Sequence, residues 1–297
     1  MEIKVSIIVV NFNGRNDTLE CLESLYKIDY PRYEVVVVDN GSTDGSVEAV
    51  KLKFPKAVII ENKENLGFAA GNNRGISCAL RNGAGFIMLL NNDACVAQET
   101  VSALVAAMQG NANIGAAGPL IMHWGTNERV WSCGQRIDWL KGICKQFKEN
   151  HYGDTEVFDV DALSGCAMML KASILPECGL FDERLFLYGE DTDVCLRIKK
   201  KGFRLLCVPA AKVWHKIGKT IGGNDVPDYL YYNARNRLWF MKQYAGKSRW
   251  LLFLFYYIYT QTKNYTGYIL SKKYKHARAI LKGTRDFAFN KFGPYKD

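Results

Sequence analysis

The sequence predicts an α/β protein with a Rossmann-like, doubly wound, mostly parallel sheet, and three observations lead there. Apolar runs of strand length alternate with stretches of helical periodicity over residues 1–110. The runs are largely continuous in their apolar character, as suits strands covered by helices on both faces. Most end in clusters of Asn, Asp, Gly and Ser, which puts polar groups at the carboxyl ends of strands, where open α/β sheets bind their ligands.

Taken in order, residues 5–10 read as a β-branched buried strand that ends at the turn Asn11-Phe12-Asn13-Gly14. Residues 17–27 set Leu19, Leu22, Leu25 and Tyr26 at helical spacing. A strand over 34–38 runs into a polar turn over 39–46, in which Asp44 is placed to cap the helix that follows. A strand over 57–60 and a helix over 68–80 lead to a strand over 85–90. That strand ends in Asn91-Asn92-Asp93, where a carboxylate can hold a divalent cation against a phosphate; an ordinary Asn-rich turn is the plainer reading. A helix over 98–108 follows. The pattern then shifts to strand-like pieces at 115–122, 129–137 and 160–170, an irregular α+β half. Gly189-Glu190-Asp191-Thr192-Asp193 opens a helix that continues to Lys201. Acids at a helix start suit the macrodipole, but capping needs fewer carboxylates, and the preceding glycine leaves room for a ligand. A strand over 204–208 comes next, with His215 beyond it: a common surface or core residue, and also a standard ligand for Mn2+-like ions.

Two residues at strand ends have paired readings. Phe12 is either core or a platform for a nucleobase, and Asp39 is either an Asx-turn residue or an acceptor for the N3–H of uracil or thymine. No Gly-x-Gly-x-x-Gly follows the first strand and no Gly-Lys-Ser/Thr is present, which disfavours dinucleotide and P-loop phosphate binding.

Composition narrows the class. The 297 residues are 48% hydrophobic, a globular balance, with no run of 18 or more apolar residues to span a bilayer. Met1-Glu2-Ile3-Lys4 leads straight into a strand, so no signal peptide is expected, and nine scattered cysteines without a Cys-x-x-Cys pair read as reduced cytosolic thiols. A net charge of +9 favours anionic partners without choosing among nucleic acid, anionic lipid and nucleotide phosphate. Residues 231–239 look like a helix whose Arg235 and Arg237 could reach a diphosphate, although surface arginines are the plainer reading. Residues 250–258 are apolar and aromatic, bracketed by Lys242, Lys247, Arg249, Lys272, Lys273 and Lys275. Such a segment either lies in an anionic membrane interface or packs on the domain or a second copy.

Six motifs then stand in one order: Val9-Val10-Asn11-Phe12-Asn13, Val38-Asp39-Asn40-Gly41-Ser42-Thr43-Asp44-Gly45, Asn65-Leu66-Gly67-Phe68, Asn91-Asn92-Asp93, Gly189-Glu190-Asp191 and Trp214-His215. Together they resemble the family 2 inverting glycosyltransferases of the GT-A fold, in particular the rhamnosyltransferase-like branch, over roughly residues 3–240. The resemblance implies Phe12 and Asp39 at the nucleobase, with Asn11, Asn13, Asn65, Gly67, Asn73, Asn91 and Asn92 completing the nucleotide side. It implies Mg2+ or Mn2+ held by Asp93 and His215, Asp191 as the catalytic base, and Glu190 as the neighbour that orients or tunes it. Two departures stand out: Asn91 replaces the first acid of the family's DxD motif, and Gly71-Asn72-Asn73 stands where many relatives have Ala-Arg-Asn.

The expected protein is thus a GT-A glycosyltransferase domain over 1–240, with a nucleotide-binding half at 1–110 and an acceptor half at 111–240, followed by a helical extension over 241–297. It is expected to move a sugar from a UDP or dTDP donor, dTDP-rhamnose among them, to a surface-glycan or lipid-linked saccharide. Cytoplasmic placement on the inner face of the plasma membrane, an anionic lipid surface and a second copy of the chain are the further partners expected, and nucleic acid is not. The alternatives are a sugar nucleotidyltransferase of similar fold and a non-catalytic basic membrane or nucleic-acid module.

Overall fold

β-Branched and apolar side chains in the first half give four parallel strands and the helices between them, and these fix where the polar turns meet. The computed structural model describes residues 2–126, 129–147, 156–216 and 225–296. In chain order the first half is β1 (Val5–Asn11), α1 (Arg15–Leu25), β2 (Tyr33–Asp39), α2 (Ser46–Lys53), β3 (Val58–Glu61), α3 (Gly67–Arg81) and β4 (Phe86–Asn91). The second half adds β5 (Ala94–Val96), α4 (Thr100–Met108), β6 (Ile114–His123), β7 (Val130–Ser132), β8 (Gln135–Asp138), β9 (Ile143–Gln146), β10 (Phe158–Asp159), β11 (Ala167–Lys171), α5 (Leu175–Cys178), α6 (Glu190–Lys200) and β12 (Arg204–His215). Helices α7 (Pro227–Tyr244), α8 (Gly246–Leu270) and α9 (Tyr274–Ala288) follow.

Among the described residues one ten-stranded sheet has the order β10-β12-β6-β11-β4-β1-β2-β3, with β5 on β12 and β7 on β6. Pairs β1–β2, β1–β4, β2–β3 and β6–β12 are parallel, whereas β11 lies antiparallel between β4 and β6. Alternate residues of β1 face opposite layers. Val5, Ile7 and Val9 pack with Leu22 and Leu25 of α1 and Val50 of α2, while Ile8 packs with Ile76 of α3. Each buried aliphatic side chain of this kind contributes about 1.5–3 kcal/mol.

Three segments differ from the sequence reading. The piece at 129–137 is two strands in two sheets, because Gly134 at φ +95 breaks it between β7 and β8. The piece at 160–170 keeps strand only from Ala167, and its first half turns into the cavity. Strand β12 runs on to His215 through a register shift between Val208 and Lys212 that accommodates Pro209, so the histidine sits within the strand rather than after it.

The surface reading of the 231–239 arginines is also overturned. Arg235 is 0% exposed, with its guanidinium donating to Asn236 Oδ1, the Tyr231 hydroxyl and the carbonyls of Gly293 and Leu185. Helix α7 carries straight across position 240, and α9 packs along it: Tyr231 Oη meets Asp286 Oδ2 at 3.0 Å, and a Cβ on Gly283 would come within 2.4 Å of the Tyr231 carbonyl. Helix α8 buries Phe253 and Tyr257 but leaves Leu251, Leu252, Phe255, Ile258 and Tyr259 exposed along one stripe. Among the described residues no helix is long and apolar enough to cross a membrane.

Candidate active site

The carboxyl ends of β1 and β2 meet through a closed polar knot. Asn11 and Asp39 are register partners, and Asn11 Nδ2 donates to Asp39 Oδ1 at 2.8 Å and to Ser42 Oγ at 3.0 Å. Asn11 Oδ1 accepts from the Gly14 N–H, Thr18 Oγ1 and Asn92 Nδ2. Asp39 Oδ2 takes the Ser42 N–H at 2.8 Å, and Asn13, in the left-handed region at φ 51, accepts the Thr43 N–H. Asn11 and Asp39 are 1% and 3% exposed, so they stand behind the cavity wall and brace it. Phe12, 42% exposed, lines the cavity, and the core reading for it fails. Asp44 binds the Arg15 N–H at the start of α1 as well as Ser46 of α2, so it ties two helix starts together.

The 65–68 turn joins the two halves. Asn65 Oδ1 accepts the Gly67 N–H at 2.9 Å, and the Phe68 N–H binds the Phe186 carbonyl at 2.8 Å. Gly67 has φ +81, and a Cβ there would fall 2.6 Å from Phe186, so this approach admits no side chain. Like Asn11, Asn13 and Asp39, Asn73 does not line the cavity: its amide binds the Phe181 backbone and Glu183.

Asp93, in the turn between β4 and β5, meets His215 of β12, which pairs with β5; Oδ1 and Nε2 are 3.1 Å apart, and Asn91 Nδ2 lies 3.5 Å from the same imidazole nitrogen. Burial opposes the charged imidazole, but Cys166 and Asp93 beside it outweigh that and hold His215 up at about 10. A carboxylate and an imidazole at one end of an open cavity fit a divalent cation that leaves positions for substrate oxygens. His215 Nδ1, buried and without a hydrogen bond, is a further nitrogen in this site. Among the described residues no cluster of three or more His, Cys, Asp or Glu forms a cage on its own.

The three acids at the start of α6 separate into two groups. Asp193 pairs with Arg197 at 2.7 Å and with the Tyr244 hydroxyl, so it is structural. Glu190 and Asp191 line the cavity after Gly189, whose left-handed φ of +91 turns the chain into the helix. Asp191 Oδ2 accepts the Gly165 N–H at 2.9 Å, and Oδ1 accepts the Thr192 N–H at 2.7 Å and hydroxyl at 3.3 Å. Burial raises Asp191 above the usual carboxylate range against those three donors. Burial and then the Asp191 charge push Glu190 up to about 8, and its Oε2 is buried with no hydrogen bond. The donors favour charge on Asp191 and their lack favours the proton on Glu190, so of the two Asp191 is the better placed to be the carboxylate.

One cavity of about 1200 Å³ holds all of this: Phe12, Asn65, Gly67, Asn91, Asn92, Asp93 and His215 toward the donor end, Glu190 and Asp191 between, and Tyr229, Asn233 and Arg237 of α7 beyond. Sequence reasoning offered the α7 arginines a diphosphate only as the lesser reading, and it missed Tyr229, Asn233 and the β9 edge at Ile143 and Cys144. The spacing 229, 233, 237 was the available signal, since residues four apart share a helix face.

Comparison with known proteins agrees with this geometry. The model of the glycosyl transferase family 2 matches residues 6–175. The chain belongs to glycosyl transferase family 2. The glycosyltransferase is 25% identical over 247 residues to the N-acetylglucosaminyl-diphospho-decaprenol L-rhamnosyltransferase of Mycobacterium tuberculosis, covering 73% of this chain and 79% of that one. It is also 25% identical over 244 residues to the dTDP-rhamnosyl transferase RfbF of Shigella flexneri, covering 80% and 79%. Its GT-A fold resembles the mannosyltransferase PcManGT of Pyrobaculum calidifontis, solved with GDP-Man and Mn2+, at a TM-score of 0.60, 17% identity and coverage of 98% and 88%. GalNAc-T7, solved with UDP, GalNAc and Mn2+, gives 0.62 at 21% identity, over 78% of this chain and 48% of that one.

Proposed function

We propose that this glycosyltransferase inverts the anomeric centre of a dTDP- or UDP-linked sugar, dTDP-rhamnose first among them, while transferring it to a hydroxyl of a lipid-linked saccharide. The observation that carries the reading is that the Asp93–His215 pair and the Glu190–Asp191 pair line one cavity. Asp191 takes the proton of the acceptor hydroxyl as that oxygen attacks the anomeric carbon and the bond to the diphosphate breaks. Glu190, holding its own proton, keeps a second negative charge away from the base. Asp93 and His215 would hold Mg2+ or Mn2+, with Asn91 alongside; when bound, the cation stabilises charge on the leaving diphosphate. Phe12 stacks on the nucleobase, and Asp39 acts from behind through Asn11 and Ser42. The names of the two rhamnosyltransferase relatives support the donor and the lipid-diphosphate acceptor. Family membership displaces the nucleotidyltransferase and the non-catalytic module.

The same proposal places the protein at the cytoplasmic face of a membrane containing anionic lipid. The exposed stripe of α8 has Lys247, Arg249, Lys272 and Lys273 near its ends, and each basic residue close to such a surface contributes about 1 kcal/mol.

Calorimetry with dTDP- and UDP-sugars, in Mn2+ and in chelator, tests the donor site. Wild type should bind only with the metal, and Asp93→Ala should lose that dependence while keeping its melting curve. Equal binding in Mn2+ and chelator by both proteins removes the metal role of Asp93.

A further inference from the structure

Two arginines of α7 stand two residues apart and differ in how they are used. Arg235 spends its donors on Asn236, Tyr231, Leu185 and Gly293. Arg237 makes one hydrogen bond, Nε to the Lys141 carbonyl at 2.6 Å, and its terminal nitrogens have no protein partner among the described residues. No carboxylate among the described residues lies within ion-pair distance of it, yet it lines the cavity of the acid pair together with Tyr229 and Asn233. Its guanidinium is surrounded by the rings of Phe253, Tyr256 and Tyr257, with centroids at 5.3, 5.7 and 5.7 Å. These faces compensate a partly dehydrated cation without neutralising it.

We propose that Arg237, with Asn233 and Tyr229 beside it, forms an oxyanion subsite at the acceptor end of the cavity, taking the phosphate or diphosphate of the acceptor. An arginine fork with open terminal nitrogens matches phosphate oxygens two at a time, which a lysine does not. Burial lowers Arg237 below the usual arginine range, a cost that a bound anion relieves. The rings around it belong to α8, whose other side carries the exposed apolar stripe, so an acceptor with a lipid beyond its phosphates would have both ends met by one helix. This subsite rests on the proposed transfer to a lipid-linked saccharide and adds the group that reads the linkage.

The test uses the full chain saturated with dTDP and Mn2+, and three probes sharing one sugar: a short-chain alkyl diphosphate, a neutral alkyl glycoside, and a neutral glycoside carrying a phosphomonoester elsewhere on the ring. Wild type should prefer the diphosphate to the neutral probe by about tenfold or more, the order of one charge-assisted contact. Arg237→Gln should abolish that preference and leave dTDP affinity unchanged. A stronger response to the phosphomonoester assigns the subsite to glycan phosphate instead of the lipid linkage. The inference is overturned if wild type does not distinguish charged from neutral probes, if Arg237→Gln keeps the preference, or if Arg237→Gln weakens dTDP, which would make it a donor-side residue. Should Arg237→Gln not fold, Arg237→Met keeps the stem among the rings without the charge, and an unchanged preference there is equally negative. Failure of wild type to bind dTDP at all counts against the donor proposal and not against this subsite.

Discussion

The two ends of the cavity solve opposite problems. At the proposed donor end, Asn11, Asp39, Ser42, Thr18 and Asn92 bond to one another, leaving the Phe12 ring and the Asp93–His215 pair facing the cavity. At the acceptor end, Glu190 Oε2 and the terminal nitrogens of Arg237 are not satisfied by the protein's described residues. A closed knot gives a fixed shape, which suits a ligand whose nucleotide does not change during the reaction. An open set of polar groups tunes proton affinity and charge, which suits the end where the proposed base stands.

If that division is right, the largest effect comes from the acceptor end. Asp191→Asn should keep donor affinity and lose turnover by about 100- to 10,000-fold, read from steady-state transfer rates. Near-normal turnover would transfer the role of base to Glu190.

Glu190 gives the other end a pH signature of its own. Its folded value of about 8 lies above its ordinary 4.5, so the fold favours the neutral acid. The stability from that proton is complete below the ordinary value, is lost as pH rises from there through 8 at up to about 1.4 kcal/mol per unit, and levels off above it. Measured against Glu190→Gln, wild type should therefore weaken steadily from mildly acidic to mildly alkaline pH in chemical denaturation. Parallel curves would mean that Glu190 is charged throughout.

The knot predicts a smaller, pH-independent effect. Asn11→Ala strands Asp39 and the hydroxyl of Thr18 and should cost about 1–3 kcal/mol of stability, with weaker nucleotide binding as the turn loosens. An unchanged melting curve would show that the knot is not what holds the donor end.

Smallest is the effect on the outer face of α8. Phe255→Ser should lower co-sedimentation with anionic liposomes about tenfold without changing transfer to a water-soluble acceptor. Wild-type protein that stays in the supernatant would leave the stripe to another partner. Substitution is the cleaner probe than removing residues 246–297, because α9 is packed on α7 and a truncation would uncover that face.

The donor end was the more legible in sequence because its signals are local. Continuous apolar runs gave β1, β2 and β4, and the Asn/Asp turns after them fell at one sheet edge. The acid pair could be read from Gly189 and its three carboxylates, but dividing them required Arg197 and Tyr244. The 160–170 segment hid a long-range role: Gly165 supplies an N–H to Asp191 from 26 residues away. The apolar run read as a strand stops at Val208, and pairing with β5 and β6 carries it on to His215. Arg235 and Arg237 look alike in sequence, yet their two-residue offset puts them on different sides of α7, one toward the tail and one toward the cavity.

Phe186 and Tyr188 hold left-handed backbones at φ 63 and 67 just before the acid pair, a geometry that costs roughly 1–3 kcal/mol per residue unless its surroundings enforce it. Asn236 and Arg235 bind the Leu185, Leu187 and Tyr188 carbonyls, and Arg235 in turn grips the Gly293 carbonyl. Tyr232 receives the Tyr295 N–H and stacks on Phe186. The loop before Glu190 therefore works as a latch whose catch is Gly293 and Tyr295: losing those contacts would release the backbone that aims the acid pair.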